Sequence, residues 1–280
     1  MFREVSDEVN GGSTLTGRVR GVRSAAAFVD RVGVAVVFPS DDLVLPSLWE
    51  VAVGSGELIV FVHDEQGKRV LSPELERVWS LHDRLAAERL ACVGKHVRNR
   101  LALISLAMLP AFYALTGRAG DEDDFQDSDA LSPLELDLAE ALLEDGPQTG
   151  PELRGRLGLR DARRVKRALE ALQRKLVITR AGEAEQPQGW AAAIFDLVAR
   201  RYPECTRCLP GSATARREVA DAVLRTAGEL SAADLAAVLG QSRAEAAAAL
   251  DDLVDTGRAC RHDQQHPTTW AWGACSDRTH

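Results

Sequence analysis

The strongest chemical signal in the sequence is a concentration of basic residues between positions 150 and 180. Ten basic residues stand there against three acidic ones, a local charge of about +7 in a chain with a formal net charge of -8. Arginine suits phosphate because its planar guanidinium donates two parallel hydrogen bonds. The segment therefore predicts a nucleic-acid contact, with a solvated basic face on an ordinary helical domain as the alternative.

Hydrophobic periodicity predicts that residues 161–175 of this segment form an amphipathic helix, with the cations opposite Val165, Leu169 and Leu172. The DNA-contacting residues predicted here are Arg160, Arg163, Arg164, Lys166, Arg167, Arg174 and Lys175. A second basic stretch at 82–100 is also expected to be helical. It would either line a DNA groove through Arg84, Lys95 and Arg98 or form a solvated face.

The order of predicted elements around the basic helix is helix, helix, helix and hairpin, which is typical of a winged helix-turn-helix. The order recurs near the C-terminus, and a more degenerate copy fits the first part of the chain. The predicted fold is mainly α with small β wings (α+β), in three tandem winged helix-turn-helix domains that form a concave surface. Their predicted bounds are 17–120, 130–204 and 212–275.

Charge differs between these units and along the segments that join them. Residues 121–129 hold six acids and are expected to be a solvated linker. The third helix of the last unit sets Arg243 against four acids, which would repel phosphate and favours a structural or pairing role. The overall acidic balance excludes a uniformly basic nucleic-acid coat or a polybasic membrane binder, but it leaves room for one basic face.

No apolar run is long enough to predict a membrane span. The longest, residues 101–115, is predicted to be a buried helix interrupted at Pro110. The first residues are polar and show no signal core, so a cytoplasmic location is expected. The oligomeric state is left open.

Metal and acid–base signals are weak. The five cysteines, an odd number, predict reduced thiols rather than a disulfide frame. Cys205 and Cys208 have the spacing of a zinc pair, but the further ligands would have to come from Cys260, His262, His266 and Cys275, whose spacing matches no finger pattern. His63 and Asp64 are expected to be turn residues. Neither a metal nor a cofactor is predicted.

Four stretches together resemble one known family: "AAAFVDRVGVAVVFPSDDLVLPSLWEVAVG" (25–54), "LISLAMLPAFYALTG" (103–117), "DARRVKRALEALQRKLVITRAG" (161–182) and "IFDLVARRYPE" (194–204). The chain is similar to the winged-helix DNA glycosylase superfamily represented by AlkZ and YcaQ, most closely its divergent AlkZ-related branch. The resemblance implies three tandem winged helices around a DNA channel and metal-free excision of alkylated or crosslinked bases.

The resemblance also implies a catalytic Gln-x-Gln, or Gln and an acid, shortly after a glycine. Here that glycine is Gly33, and the matching positions are Val36 and Phe38, whose side chains have no polar atom to hold a water. Asp41, Asp42 and Glu50 are the substitute carboxylates that the sequence offers.

The leading hypothesis is a winged-helix protein that binds double-stranded DNA, including damaged DNA, without the catalytic pair. The alternatives are an active divergent DNA glycosylase that excises alkylated bases and, from the acidic last unit, a protein–protein adaptor.

Overall fold

A computed structural model describes residues 19–63, 65–67, 69–186, 190–263 and 267–273 of the chain. The fold combines helices and small antiparallel sheets, with 47% of the described residues in helices and 19% in strands. Asp64, His266 and Cys275 lie outside the described residues, as do the ends of the predicted first and last domains. Within the described ranges, no helix has both the length and the apolar character needed to cross a bilayer.

One order of elements occurs three times: a helix, a strand, two helices and two strands. The first unit is α1 (Val22–Val32), β1 (Val34–Val36), α2 (Leu48–Ala52), the hairpin β2 (Phe61–His63) and β3 (Arg69–Leu71), α3 (Pro73–Ala87), β4 (Cys92–Val97) and β5 (Arg100–Ile104). After α4 (Leu109–Ala114), the second unit is α5 (Pro133–Asp145), β6 (Gln148–Thr149), α6 (Gly150–Arg156), α7 (Ala162–Arg174), β7 (Ile178–Ala184) and β8 (Ala192–Leu197).

After α8 (Val198–Arg201) and α9 (Pro203–Thr206), the third unit is α10 (Ser212–Ala227), β9 (Glu229–Ser231), α11 (Ala232–Leu239), α12 (Arg243–Asp255), β10 (Ala259–His262) and β11 (Thr269–Trp272). Each unit has the same sheet, in which the short first strand pairs antiparallel with the last strand. The three strand orders are β1-β5-β4, β6-β8-β7 and β9-β11-β10. The hairpin of β2 and β3 is an addition to the first unit.

Side-chain caps determine where several of these helices begin. Ser132 caps α5 and Ser231 caps α11, each by accepting a hydrogen bond from a backbone N–H of the first turn. Asp161 caps α7 by accepting from the backbone N–H groups of Arg163 and Arg164, at 2.9 and 3.0 Å. The helix predicted at 161–175 is confirmed as α7, to within one residue at each end.

The sheet of the first unit is buried on both faces. Ala35 and Val37 pack into the core formed with α1, α2 and α3. Val34 and Val36 point the other way, into a second core that the sheet shares with α4 and the third unit. The second unit has its own core among α5, α6, α7 and its sheet. The continuous apolar run of β1 is thus explained by two-sided burial.

Two predicted helices of the first unit are wrong. Residues 101–115 are the strand β5 followed by the short helix α4, and Pro110 lies in the first turn of α4, where proline is tolerated. Residues 82–100 are the end of α3 followed by β4, and Arg98 and Asn99 form the turn into β5 with positive φ angles. A β-hairpin therefore stands where a basic helix was expected.

The acidic segment is only partly a solvated linker. Asp124 and Phe125 are buried, at 9% and 1% exposure. Asp124 accepts hydrogen bonds from the Tyr113 hydroxyl (2.9 Å) and the Gly120 N–H (2.7 Å), and it pairs with Arg118 at 2.9 Å. The expectation is correct for neighbouring acids such as Asp123, which are exposed.

Candidate nucleic-acid interface

The helix α7 presents a row of cations to solvent. Its buried side is formed by Val165, Ala168, Leu169 and Leu172, which pack into the core of the second unit. The side chains of Arg163, Arg164, Lys166 and Arg167 on this helix are exposed, as is that of Arg160, which directly precedes the capping residue Asp161. Within the described part of the chain, none of these five has a carboxylate at ion-pair distance. We call these five residues the basic face.

The cations of the basic face stand close to the positive end of the α7 dipole. Arg163 and Arg164 lie in its first turn, where negative charge is favoured and positive charge is not. Asp161 offsets part of this cost through its cap. Several cations without a counter-ion at the start of a helix are electrostatically unfavourable. A bound anion such as phosphate would neutralise them and also interact favourably with the helix dipole.

The other predicted DNA-contacting residues fall into two groups. Arg84, Lys95 and Lys175 are ion-paired, with Glu88 (2.7 Å), Glu170 (2.6 Å) and Glu135 (2.6 Å) respectively. Arg98 is exposed, and Arg174 donates a hydrogen bond to Asn99 beside it. This contact brings the β4–β5 turn of the first unit to the end of α7. All five residues remain predicted DNA contacts. Arg84, Lys95 and Lys175 are already paired with a carboxylate of the protein.

The strand β4 holds α7 in place against the first unit. The Gln173 side chain accepts a hydrogen bond from the Lys95 N–H at 2.9 Å, and the Gln173 carbonyl accepts one from His96 Nδ1 at 2.7 Å. Lys95 adds its ion pair to Glu170. The basic face is therefore carried on a helix fixed from both units, which favours a rigid binding surface.

His96 should make the protein sensitive to acid. Burial lowers the pKa of its imidazole to about 4, whereas an unfolded histidine titrates near 6.5. Protonation then favours the unfolded chain, and stability is lost as the pH falls below 6.5. Between pH 7 and pH 5 His96 should account for a loss of about 2 kcal/mol. The measurement is urea unfolding of the native protein and of His96→Gln at both pH values. Equal losses in the two proteins would contradict this expectation.

The two positions that the family resemblance assigns to catalysis have different surroundings. Val36 is 1% exposed and packs in the core shared with the third unit. Phe38 is half-buried, and its ring stacks on that of Trp79, with 6.2 Å between centroids. Neither side chain has a hydrogen-bonding atom to offer to a substrate.

The substitute carboxylates are mostly engaged in local structure. Glu50 closes a capping box at the start of α2, where it accepts from the Ser47 N–H and hydroxyl at 3.0 and 2.7 Å. Asp42 is exposed and pairs with Arg100 at 3.1 Å. The Ser40 hydroxyl and Arg100 lower the pKa of the Asp42 carboxyl. Asp41 is exposed in the same turn.

A polar cluster that the sequence did not reveal lies between α3 and β7. Arg180 is buried, donates to Glu183 Oε1 at 2.8 Å and lies with its Nη1 2.9 Å from His82 Nε2. Trp79 Nε1 also donates to Glu183 Oε1, at 3.2 Å. Burial lowers the pKa of His82, so its ring is neutral. Burial and the nearby carboxylate of Asp83 raise the pKa of Glu183. The cluster joins the first and second units.

The described cysteines do not gather around one point. Cys92 and Cys205 are buried free thiols and Cys208 is an exposed one, while Cys260 is disulfide-bonded. The expectation of reduced thiols throughout is therefore wrong at Cys260. Among the described residues, no group of three or more metal-ligating side chains is close enough together to hold an ion.

Comparison with solved structures places this fold beside that of a DNA glycosylase. The DNA glycosylase AlkZ of Streptomyces sahachiroi superposes with a TM-score of 0.53 at 15% identity, over 92% of this chain and 66% of that one. The chain thus spans less than two thirds of the length of AlkZ, and the likeness shows a shared fold. The DIP2311 protein of Corynebacterium diphtheriae matches at 17% identity over 71% of this chain and 39% of that one, with a TM-score of 0.23.

A family model described as AlkZ related matches residues 19–240. Since this match covers most of the sequence, the chain belongs to the AlkZ-related family. None of the curated proteins compared with the chain matches it.

Proposed function

We propose that the protein binds double-stranded DNA through the basic face of α7, as a member of the AlkZ-related family without the catalytic pair. The observation that carries this proposal is the basic face itself, whose exposed cations lie on and directly before one helix and have no carboxylate partner among the described residues, in a chain with a net charge of -8. Elsewhere among the described residues many arginines are neutralised by nearby carboxylates, as Arg156 is by Glu144 and Asp145.

The repeated element order supports the architectural part of the proposal. A helix, a strand, two helices and a two-stranded wing, with the first strand added to the wing, form a winged helix, and α7 is then the recognition helix of the second unit. We assign three such domains, within 17–120, 130–204 and 212–275, and place DNA on the concave side that they form. The DNA glycosylase fold of the AlkZ neighbour fits this assignment.

Base excision is the second candidate function, and the same fold likeness favours it. The side chains of Val36 and Phe38 would contribute no polar atom to it, and Glu50 serves as a cap. The test is incubation of stoichiometric protein with duplexes that carry alkylated purines, followed by detection of abasic sites. We expect no product above background.

Salt dependence tests DNA binding directly. If the five cations of the basic face each neutralise one phosphate, the plot of log affinity for a 20-base-pair duplex against log salt should have a slope of about -4.5. The affinity can be measured by fluorescence anisotropy between 50 and 200 mM salt. A flat response would refute the proposal.

A further inference from the structure

A cavity of about 560 Å³ opens between the first and second units, directly beside the basic face. Trp79 and Leu101 line it from the first unit, and Val165, Leu169 and Phe195 line it from the second. Its volume is within the range of about 300–1,000 Å³ that small-molecule sites occupy. We call this space the interunit cavity.

The walls of the interunit cavity suit a flat aromatic ring. Trp79 and Phe195 are half-buried aromatic side chains, one from each unit. The indole of Trp79 is held from two sides, by its hydrogen bond to Glu183 and by stacking on Phe38. A ring fixed in this way loses little freedom when a second ring stacks on it, which favours binding.

The charges around the interunit cavity favour a phosphate at its edge and an uncharged base inside it. Lys166 of the basic face and Arg154 of α6 belong to its lining, and neither has a carboxylate at ion-pair distance among the described residues. The other charges of the lining are paired with one another, Lys95 with Glu170 at 2.6 Å and Arg180 with Glu183 at 2.8 Å, and so leave no free cation to hold a phosphate inside. A strand whose phosphates lie on the basic face can therefore place an uncharged base in the cavity while its phosphates stay outside.

We propose that the interunit cavity holds a single unstacked nucleobase of DNA bound along α7. This inference rests on the proposed DNA binding and adds a base site to it. Trp79 and Phe195 contact the faces of the base, and Lys166 holds the adjoining phosphate. Because unstacking costs least for a base without a partner, the protein should prefer duplexes with an unpaired base.

The experiment compares two 20-base-pair duplexes that differ in one chemical group. One carries a bulged adenosine, and the other carries a bulged abasic nucleotide with the same backbone. The affinity of the full-length protein for each is measured by fluorescence anisotropy at one salt concentration. We expect the bulged adenosine to bind about tenfold more tightly.

Substitutions test whether the preference for the bulged adenosine arises in the interunit cavity. Trp79→Ala and Phe195→Ala should each bring the affinity ratio close to one, while Trp79→Phe, which keeps an aromatic face, should retain part of it. Trp190→Ala is the matched control, since Trp190 is 65% exposed and is not part of the cavity lining. It should leave the ratio unchanged. Thermal melts check that each variant is folded.

The outcomes separate this inference from the proposed function. Duplex binding with a ratio near one in the native protein, or an unchanged ratio in folded Trp79→Ala and Phe195→Ala, would overturn the base site and leave DNA binding standing. No binding to any duplex would overturn both. Arg163→Glu with Arg164→Glu should weaken both duplexes equally and preserve the ratio.

Discussion

Replacement of Asp124 by alanine should destabilise the protein by about 3–5 kcal/mol, the cost typical of breaking a buried ion pair. Arg118 and Asp124 have side chains only 8% and 4% exposed, and they meet at 2.9 Å. Without the carboxylate, the guanidinium of Arg118 would keep a single hydrogen bond, to the Lys175 carbonyl. The Tyr113 hydroxyl and the Gly120 N–H would lose their acceptor as well.

The measurement is equilibrium unfolding in urea of the native protein, Asp124→Ala and the control Asp123→Ala. Asp123 is exposed in the same acidic segment, and its replacement should change the stability by no more than about 0.5 kcal/mol. Both substitutions remove one negative charge from the same segment, so the two variants differ only in the contacts that are lost. Equal effects of the two substitutions would show that the acidic segment acts through its total charge.

Asp124 illustrates what the sequence could not reveal. Its neighbours are acids of the same type, and the charge pattern of the segment correctly marks most of them as solvated. The distinction depends on Arg118 and Tyr113, and on Gly120, where a Cβ would stand 2.0 Å from the Thr206 carbonyl oxygen. This close approach joins the segment to α9, more than eighty residues away.

The fold could be predicted well where all the residues that determine a feature lie within one helical turn of each other. Ser132, Thr149 and Ser231 are examples of this, because each caps the start of a helix together with an acidic residue three positions further on. The error at Pro110 has the opposite origin. A proline in an apolar run can interrupt a helix or begin one, and only the strand β5 before it decides between the two.

The candidate site likewise has a part that could be predicted from the sequence and a part that could not. The basic face could be predicted because its cations and its buried residues alternate on a single helix. The pairing of Lys95 with Glu170 and of Lys175 with Glu135 could not, since the partners are 75 and 40 positions apart. Nor could the cluster of Trp79, Arg180 and Glu183, which arises where α3 of one unit packs on β7 of the next.

Reversing two charges of the basic face should change stability and DNA binding in opposite directions. In Arg163→Glu with Arg164→Glu, two cations leave the positive end of α7 and two anions replace them. At each of the two positions, the interaction with the helix dipole then favours the folded state by about 0.3–1 kcal/mol more than in the native protein. On DNA the same anions repel phosphate, so the affinity should fall by at least about tenfold and the salt slope should become shallower by about 2.

Arg243→Glu provides the matched control. Arg243 is the first residue of α12, the helix of the third unit that corresponds to α7, and it is exposed. Its reversal should also remove a cation from a helix start and raise the stability slightly. The acids of α12 leave no phosphate site there, so the affinity and the salt slope should stay unchanged.

Thermal melts and duplex titrations of the three proteins decide between two roles for the unpaired cations. If the basic face serves binding, its reversal gives a protein that melts at a higher temperature and releases DNA, while the control gains stability alone. A lower melting temperature for the double variant would mean that the cations support the fold through contacts with the chain itself. Unchanged DNA affinity would place the phosphate contacts on another surface. The basic face destabilises the free protein, and its cations find anionic partners only on DNA. Selection for DNA binding explains such a set of residues, whereas selection for folding alone does not.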